Sequence, residues 1–199
     1  MAEVESFHFE IESTVSISSD DTDVGLPIDF TGDFQAPDRI RGKLSLSLGF
    51  FTIEMETIAI GDTTYITNLE SGEWEESSGL GFGVPNPAEL AVPVGVSLVD
   101  LTLIGEEELD GIRVFHLKGA PPASLFGDAS DDAEADFWIG VDDFRTRQVT
   151  ASGQVSLGGD GGLGLPFGGA DLAGSATIVL TAKFSDYDKP VVIEAPAIP

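Results

Sequence analysis

An unbroken alternation of apolar and polar side chains begins at Arg39 and constrains the fold more than any other feature. The apolar side of this stretch carries Ile40, Gly42, Leu44, Leu46 and Leu48. A period of two residues is typical of a strand with one buried and one solvated face. Gly49-Phe50 follows, and a glycine here supplies the positive φ that a type II′ hairpin loop needs. The pattern predicts an antiparallel hairpin with one apolar face.

The hairpin loop also predicts the register of its two strands. Counting outward from the loop places Leu48 opposite Phe51, Leu46 opposite Ile53 and Leu44 opposite Met55. On the polar face Lys43 falls opposite Glu56, and we expect an opposite-charge pair there. Gly61-Asp62 repeats the turn signal, so a third strand is expected after it. The region is therefore predicted to be a three-strand meander that is apolar on one side.

Similar patterns elsewhere predict roughly ten strands in all, at the spacing of a sandwich or barrel. The first strand, Ser6–Ile17, carries Phe7, Phe9 and Ile11 on one side. Ser18–Gly25 is predicted to be an acidic loop, and Val191–Glu194 is predicted to be the last strand. The sequence thus indicates an antiparallel sheet that occupies most of the chain.

Helical signals are few. Asn86, Pro87 and Glu89 stand where the N-cap, N1 and N3 residues of a helix are expected. Pro121–Asp128 has room for one more short helical turn. We expect a single domain over residues 1–199, mainly β with one or two short helices, in the α+β class.

The charge balance excludes several classes of partner. The chain has 9 basic and 35 acidic residues, for a formal net charge of −26. A field of this sign repels nucleic acid and anionic membrane surfaces. Hydrophobic residues make up 42% of the chain, which is too many for an acidic disordered tail. There is no cysteine, so neither disulfides nor thiol catalysis is expected.

Motifs for catalysis, metals or cofactors do not stand out. The stretch 159–164 matches G-x-G-x-x-G, but Pro166 stands where the dinucleotide-binding helix would have to run. His8 and His116 lie in separate predicted strands, so no transition-metal site is expected. The acidic stretches 20–23 and 128–136 lack EF-hand spacing, which favours solvated loops over calcium sites. We expect a protein without catalytic activity and without a cofactor.

The apolar face of the sheet is the candidate site. One or two short helices cannot cover a sheet of this size, and an under-covered curved sheet leaves an apolar cavity. The side chains predicted to line it are Phe7, Phe9, Ile11, Leu44, Leu46, Leu48, Phe51, Ile53 and Met55. The alternative is an ordinary packed core beneath a helix.

A second candidate element is the glycine-rich segment Gly158–Gly174. It contains Leu163, Leu165 and Phe167, which belong to no periodic element. Glycine makes such a backbone easy to rearrange. We expect a mobile lip at the cavity mouth, with a long hairpin loop that packs on the sheet as the alternative.

Several stretches, taken in order, resemble the LppX/LprG-type lipoprotein family of bacterial envelopes, which is related in fold to LolA/LolB-type carriers. They are the openings Ser6–Phe9 and Pro37–Arg39, the segment Gly61–Ile66 with Trp74, Asn86-Pro87, the hairpin Leu109–Gly119, Phe137–Ile139, and the close Phe184–Ile193 with Pro196. Together they span most of the chain, although each motif alone is short.

The resemblance implies a half-barrel sheet with helices across its concave face, enclosing a cavity for acyl chains. It implies a monomer that binds or moves lipids or other hydrophobic small molecules in the bacterial cell envelope, without a cofactor. It also implies a membrane anchor on a lipidated cysteine, which would lie upstream of this sequence. The alternative is an envelope sensor or protein-interaction module of the same fold, with a core filled by its own side chains.

Overall fold

The computed structural model describes residues 4–19, 22–77, 79, 85–91, 101–121, 133–157 and 174–198. The strands are β1 (Ser6–Ser19), β2 (Thr22–Gln35), β3 (Arg39–Leu48), β4 (Phe51–Ile60), β5 (Thr63–Thr67), β6 (Trp74–Ser77), β7 (Thr102–Leu109), β8 (Ile112–Gly119), β9 (Glu134–Gly140), β10 (Thr146–Leu157) and β11 (Gly174–Ser185). One helix, α1 (Pro87–Ala91), lies between β6 and β7 in the described part of the sequence.

All eleven strands belong to one antiparallel sheet, in the order β6-β5-β4-β3-β2-β1-β11-β10-β9-β8-β7. Strands β1 and β11 pair from His8 opposite Ser185 to Ile17 opposite Ala176, so the first and last described strands are neighbours at the centre of the sheet. The sheet is not closed into a barrel and curls as a half-barrel. This confirms the predicted fold class, with one strand more than the sequence indicated.

One face of the sheet, here called the core face, carries the hydrophobic core. Buried side chains from β1, β2, β3, β4, β9, β10 and β11 form one cluster there with Leu90 and Ala91 of α1. Side chains alternate across a strand, so the opposite parity forms an outer face that is mostly polar. The half-barrel therefore has one apolar and one solvated side.

The predicted hairpin register is confirmed residue by residue. Leu48 lies opposite Phe51, and the pairing continues back to Arg39 opposite Ile60. Gly49 has φ 69° and Gly61 has φ 58°, as their turns require. Lys43 is opposite Glu56, but its Nζ lies 2.7 Å from Glu54 Oε1. The predicted cross-strand position of Lys43 is confirmed, and its ammonium group contacts Glu54 because the long side chain reaches the diagonal neighbour on the same face.

Two predicted boundaries are wrong. Strand β2 begins at Thr22, so much of the expected acidic loop Ser18–Gly25 is paired strand, because β1 and β2 match along their length. Val191–Glu194 joins no strand and crosses the outer face instead. Ile193 N donates to Gln35 Oε1 at 2.9 Å, and Arg39 Nη1 donates to the Ile193 carbonyl at 2.6 Å. The side chains of Gln35 and Arg39 thus provide the hydrogen bonds that the Ile193 N–H and carbonyl would otherwise make with a neighbouring strand.

The predicted helix start is confirmed. Asn86 Oδ1 accepts a hydrogen bond from Ala88 N at 2.9 Å, which caps the first turn of α1. Pro87 stands at the first helical position, where its missing N–H costs nothing. Leu90 is 3% exposed and packs in the core. The short helix thus adds apolar cover to one end of the core face.

A pair of facing glycines lets the strands and rings at the centre of the sheet approach closely. Gly32 of β2 lies opposite Gly42 of β3. A Cβ on Gly32 would lie 2.1 Å from the Arg41 carbonyl oxygen, and one on Gly42 would lie 2.5 Å from the Phe30 ring. Neither position has room for a methyl group.

We expect Gly32→Ala to lower the free energy of unfolding by roughly 1–3 kcal/mol, because backbone atoms would have to move. Gly105→Ala is the matched control, since its Cβ would meet nothing within 4 Å and its backbone is unstrained. Urea unfolding measures both variants. Equal stability of the two variants would contradict the close approach at Gly32.

Candidate functional site

The nine residues predicted to line a cavity lie together on the core face. Phe9 faces Gly32 across β1 and β2, Phe30 faces Leu44, and Leu44 faces Met55. Five of the nine are at most 2% exposed: Phe7, Phe9, Ile11, Leu44 and Leu46. Met55 is buried, Leu48 and Ile53 are half-buried, and Phe51 is 48% exposed. Their role as cavity lining stays a prediction.

The exposure of these residues follows the direction of the strands. We call the end where β1 begins, with Ser6, Arg39 and Thr146, the closed end. The end with Leu48, Phe51 and Leu157 is the open end. Of the nine, the residues that are at most 2% exposed lie toward the closed end and the middle, while Leu48, Phe51 and Ile53, near the tip of the β3–β4 hairpin, keep contact with solvent.

Aromatic rings fill the closed end. The Phe7 ring stacks on Phe34 with centroids 4.7 Å apart, and it meets Phe184 edge-on at 5.6 Å. Phe9 and Phe30 are 4.8 Å apart over the glycine pair. Thr146 Oγ1 donates to the Ala91 carbonyl at 3.4 Å, which places the end of α1 beside this cluster. The protein's own side chains occupy this end of the core face.

Polar contacts of the segment that follows β11 also stabilise the closed end. Tyr187 donates its hydroxyl hydrogen to the Thr146 carbonyl, and the Arg145 guanidinium lies 4.9 Å from its ring centroid. Burial raises the pKa of the Tyr187 phenol, so it remains a donor at any physiological pH. Asp188 accepts from Glu5 N at 2.9 Å and from Arg145. These contacts tie β1, β10 and the segment after β11 together.

The open end has no comparable closure among the described residues. Half-buried apolar side chains border it on six strands: Ile17, Leu26, Leu48, Ile53, Val155 and Ile178. Leu157 pairs with Gly174, so the strands that flank the predicted lip end here. Leu163, Leu165 and Phe167 themselves lie outside the described residues, and the lip stays a prediction.

A polar group also faces the middle of the core. Thr57 is 1% exposed and lies opposite Gly42 and Ile66. Its Oγ1 has no hydrogen-bond partner among the described residues. Sequence reasoning missed it, because an alternating strand does not show which threonine lies on the buried side until the register is known.

The outer face offers a different kind of surface. A shallow groove of about 280 Å³ lies between β1, β2 and β11, bordered by Glu12, Thr14 and Asp29 among others. Its carboxylates and hydroxyls do not suit an acyl chain, since an apolar chain gains nothing by contact with solvated polar groups.

Both histidines lie on the outer face, each against a carboxylate. His8 Nδ1 is 2.9 Å from Asp33 Oδ1, and His116 Nε2 is 2.8 Å from Asp136 Oδ1. The His116 ring also stacks on Trp138 at 4.7 Å. Within the described part of the chain, no group of three or more potential metal ligands comes together. These contacts join β1 to β2 and β8 to β9 through side chains on the outer face.

The core face and strand order can be compared with known structures. The structure is similar to lipoprotein LppX from Mycobacterium tuberculosis, with a TM-score of 0.53 at 19% identity, covering 96% of this chain and 90% of that one. It is also similar to LprF from Mycobacterium bovis, with a TM-score of 0.50 at 11% identity, covering 98% and 90%. The chain has an LppX/LprG-type fold. No protein-family model and no curated protein sequence matches it.

The comparison confirms the fold that the resemblance in the sequence predicted. At sequence identities of 19% and 11%, the similarity establishes the fold but not the ligand. The ligand has to be inferred from the chemistry of the core face. In the described ranges, no helix has both the length and the apolarity needed to cross a membrane.

We expect Thr57→Val to raise the free energy of unfolding by about 1 kcal/mol, because valine has the same shape without an unpaired buried hydroxyl. Thermal and urea unfolding of parent and variant measure this change. Thr52→Val on the exposed part of the same strand is the control. A loss of stability in Thr57→Val would show that the hydroxyl has a partner.

We expect Asp188→Asn to destabilise the protein by about 1 kcal/mol at pH 7, because the amide cannot match a carboxylate that accepts from Glu5 N and Arg145. These hydrogen bonds lower the pKa of Asp188 below its usual value. A lowered folded-state pKa gives stability that is present above the unfolded pKa and lost as pH falls through the folded one. The difference between parent and variant should therefore shrink below about pH 4. A difference that stays constant from pH 7 to pH 2.5 would contradict this role.

Proposed function

We propose that this protein binds lipids or other hydrophobic molecules, without catalysis, and holds their acyl chains on the core face of the half-barrel. The gradient of exposure along that face carries the proposal. Its closed end is filled by phenylalanine rings, whereas Leu48, Ile53 and Phe51 at the open end remain accessible. A site of this form is apolar along its length and open at one end, as an acyl chain with a solvated headgroup requires.

The energetics of such a site are those of apolar transfer. Each methylene group removed from water contributes roughly 0.8 kcal/mol, so an acyl chain with about ten methylenes buried between β1, β3 and β4 gains roughly 8 kcal/mol, part of which offsets the entropic cost of association. Phe7, Phe9, Ile11, Leu44, Leu46 and Met55 form the floor, and Leu48, Phe51 and Ile53 form the accessible border. We place Leu163, Leu165 and Phe167 at the mouth, because their segment joins β10 to β11 at the open end.

The charges of the outer face favour neutral lipids over anionic phospholipids. The basic residues nearest the candidate site are engaged: Arg39 with the Ile193 carbonyl, Arg41 with Asp33, and Lys43 with Glu54. The net charge of −26 adds a repulsive field for anionic headgroups. A neutral headgroup therefore fits this surface best.

The proposed location is the bacterial cell envelope, which the likeness in fold supports. The similar protein LppX is described as a lipoprotein. We propose the same setting here, with a monomer held to the membrane through an anchor upstream of this sequence.

One rival has a specific observation in its favour. The closed end already contains stacked rings of Phe7, Phe34 and Phe184. If such packing extends along the whole face, the protein is a sensor or interaction module with a self-filled core. The two functions differ in whether purified protein carries a lipid.

Mass spectrometry of organic extracts tests this directly. Protein expressed in a lipid-containing host and purified without detergent should release acyl lipids in near-stoichiometric amount, with neutral species enriched over the host average. An outer-face double variant such as Val179→Ser/Val192→Ser controls for lipid adsorbed to exposed apolar residues. Extracts without lipid, together with no uptake of a fluorescent acyl probe, would favour the self-filled core.

We expect Ile53→Trp to reduce uptake of a fluorescent acyl probe while changing stability by less than about 1 kcal/mol, because the half-buried position has free space on one side. Leu44→Trp, on the same face but 1% exposed, should instead cost roughly 1–3 kcal/mol through overpacking. Probe titration and urea unfolding of both variants give the comparison. Equal destabilisation by the two tryptophans would indicate a core that is packed throughout.

A further inference from the structure

The end of the β3–β4 hairpin separates from the strands on both sides. Strand β3 pairs with β2 only as far as Leu46 opposite Ile28, and β4 pairs with β5 only from Thr57 opposite Ile66. Within the described ranges, residues 47–52 therefore have ladder partners only in each other, whereas residues 53–55 pair with β3 and lack a partner on the β5 side. Pairing on the β2 side stops beside Pro27, which has no N–H to donate. The result is a free two-stranded ribbon at the open end.

Two phenylalanines occupy the tip of this ribbon. Phe50 is 96% exposed and Phe51 is 48% exposed. Their ring centroids are 5.3 Å apart, so the two rings form one apolar surface. The turn itself needs glycine only at position 49, where φ is 69°. Nothing in the folding of the hairpin requires an exposed ring at position 50.

The ribbon is neutral although the chain is strongly acidic. Residues 44–53 contain no charged side chain, in a protein of net charge −26. At the base of the ribbon Lys43 and Glu54 neutralise each other at 2.7 Å. Glu54 is also four residues from Phe50, or about 13 Å along the strand, which exceeds a Debye length of about 8 Å. The tip can approach a surface while the acidic body stays at a distance.

We propose that Phe50 and Phe51 insert into the headgroup region of a lipid bilayer and hold the open end of the half-barrel against the membrane. Aromatic rings are favoured at that interface, and an uncharged tip suits a zwitterionic surface such as phosphatidylcholine. The inference rests on the proposed lipid binding, since contact at the open end brings the core face next to the bilayer. Beyond lipid binding, the tip is assigned as a membrane-docking site for a zwitterionic bilayer.

The same charges argue against a second copy of this chain as the partner. Two bodies of net charge −26 repel each other, and tip-to-tip contact buries little surface beyond four rings. A neutral bilayer interface imposes no such repulsion.

Fluorescence from the tip tests docking. The chain has no cysteine, so Phe50→Cys carries a single environment-sensitive dye at the tip. Phosphatidylcholine vesicles should shift its emission to the blue and raise its intensity about twofold or more, as for a probe entering the interface. Phe144→Cys is the matched control, because Phe144 is 55% exposed in the turn between β9 and β10 at the closed end. Its dye should not respond.

Transfer kinetics test the consequence. Phe50→Ser should slow transfer of a bound fluorescent acyl lipid to phosphatidylcholine vesicles about tenfold, because transfer then depends on weaker membrane contact. Phe144→Ser should transfer at the parental rate. Acyl-probe affinity and melting temperature should change little in Phe50→Ser, since its ring is almost fully exposed.

The outcomes separate this inference from the proposed function. No change in the dye at position 50 with vesicles would overturn docking. So would a shift without vesicles that grows with protein concentration, which would indicate self-association. If the protein binds no acyl lipid at all, the proposed function fails, and the dye response at position 50 still decides whether the tip meets the membrane.

Discussion

Pairing of β1 with β2 on one side and β11 on the other is the constraint on which the rest of the structure depends. It joins the first and last strands of the chain at the centre of an eleven-stranded sheet. Because side chains alternate along β1, its apolar residues set which parity of each neighbouring strand faces the core. A one-residue slip would move Phe7, Phe9 and Ile11 to the solvent side and expose the core.

The two ends of this sheet differ for physical reasons. At the closed end, stacked phenylalanines, α1 and the contacts of Tyr187 and Asp188 bury the core face. At the open end, β2–β3 and β4–β5 pairing stops early, and Leu48, Phe51 and Ile53 keep contact with solvent. In the function proposed above, this asymmetry gives the site a direction, with the end of an acyl chain in the dry part and its headgroup outside.

The two edge strands of an open sheet can pair with another chain and cause aggregation. In this protein, acidic side chains on the edge strands oppose such pairing. Strand β7 carries Glu106, Glu107 and Glu108 in a row, and the short edge strand β6 carries Glu75 and Glu76. Carboxylates at an edge oppose pairing with another chain. The acidic composition thus protects the edges, and it leaves the uncharged β3–β4 ribbon as a distinct surface.

Sequence alone determined the local structure where alternation and turn chemistry agree. The β3–β4 register, the positive φ at Gly49 and Gly61, and the N-cap at Asn86 follow from residue types at fixed spacing. The family resemblance likewise gave the fold. The shared face of the nine candidate residues also follows, because parity places each on one side of its strand.

Only the tertiary structure decided which of those residues are covered and which are accessible. Leu46 and Ile53 are neighbours of equal hydrophobicity, yet the first is fully buried and the second is not. The buried hydroxyl of Thr57, the crossing of Ile193 over the outer face and the ion pair between Lys43 and Glu54 also depend on contacts between distant segments or diagonal neighbours. Burial is a property of the whole chain in space, so a local pattern predicts the face of a side chain but not what covers it.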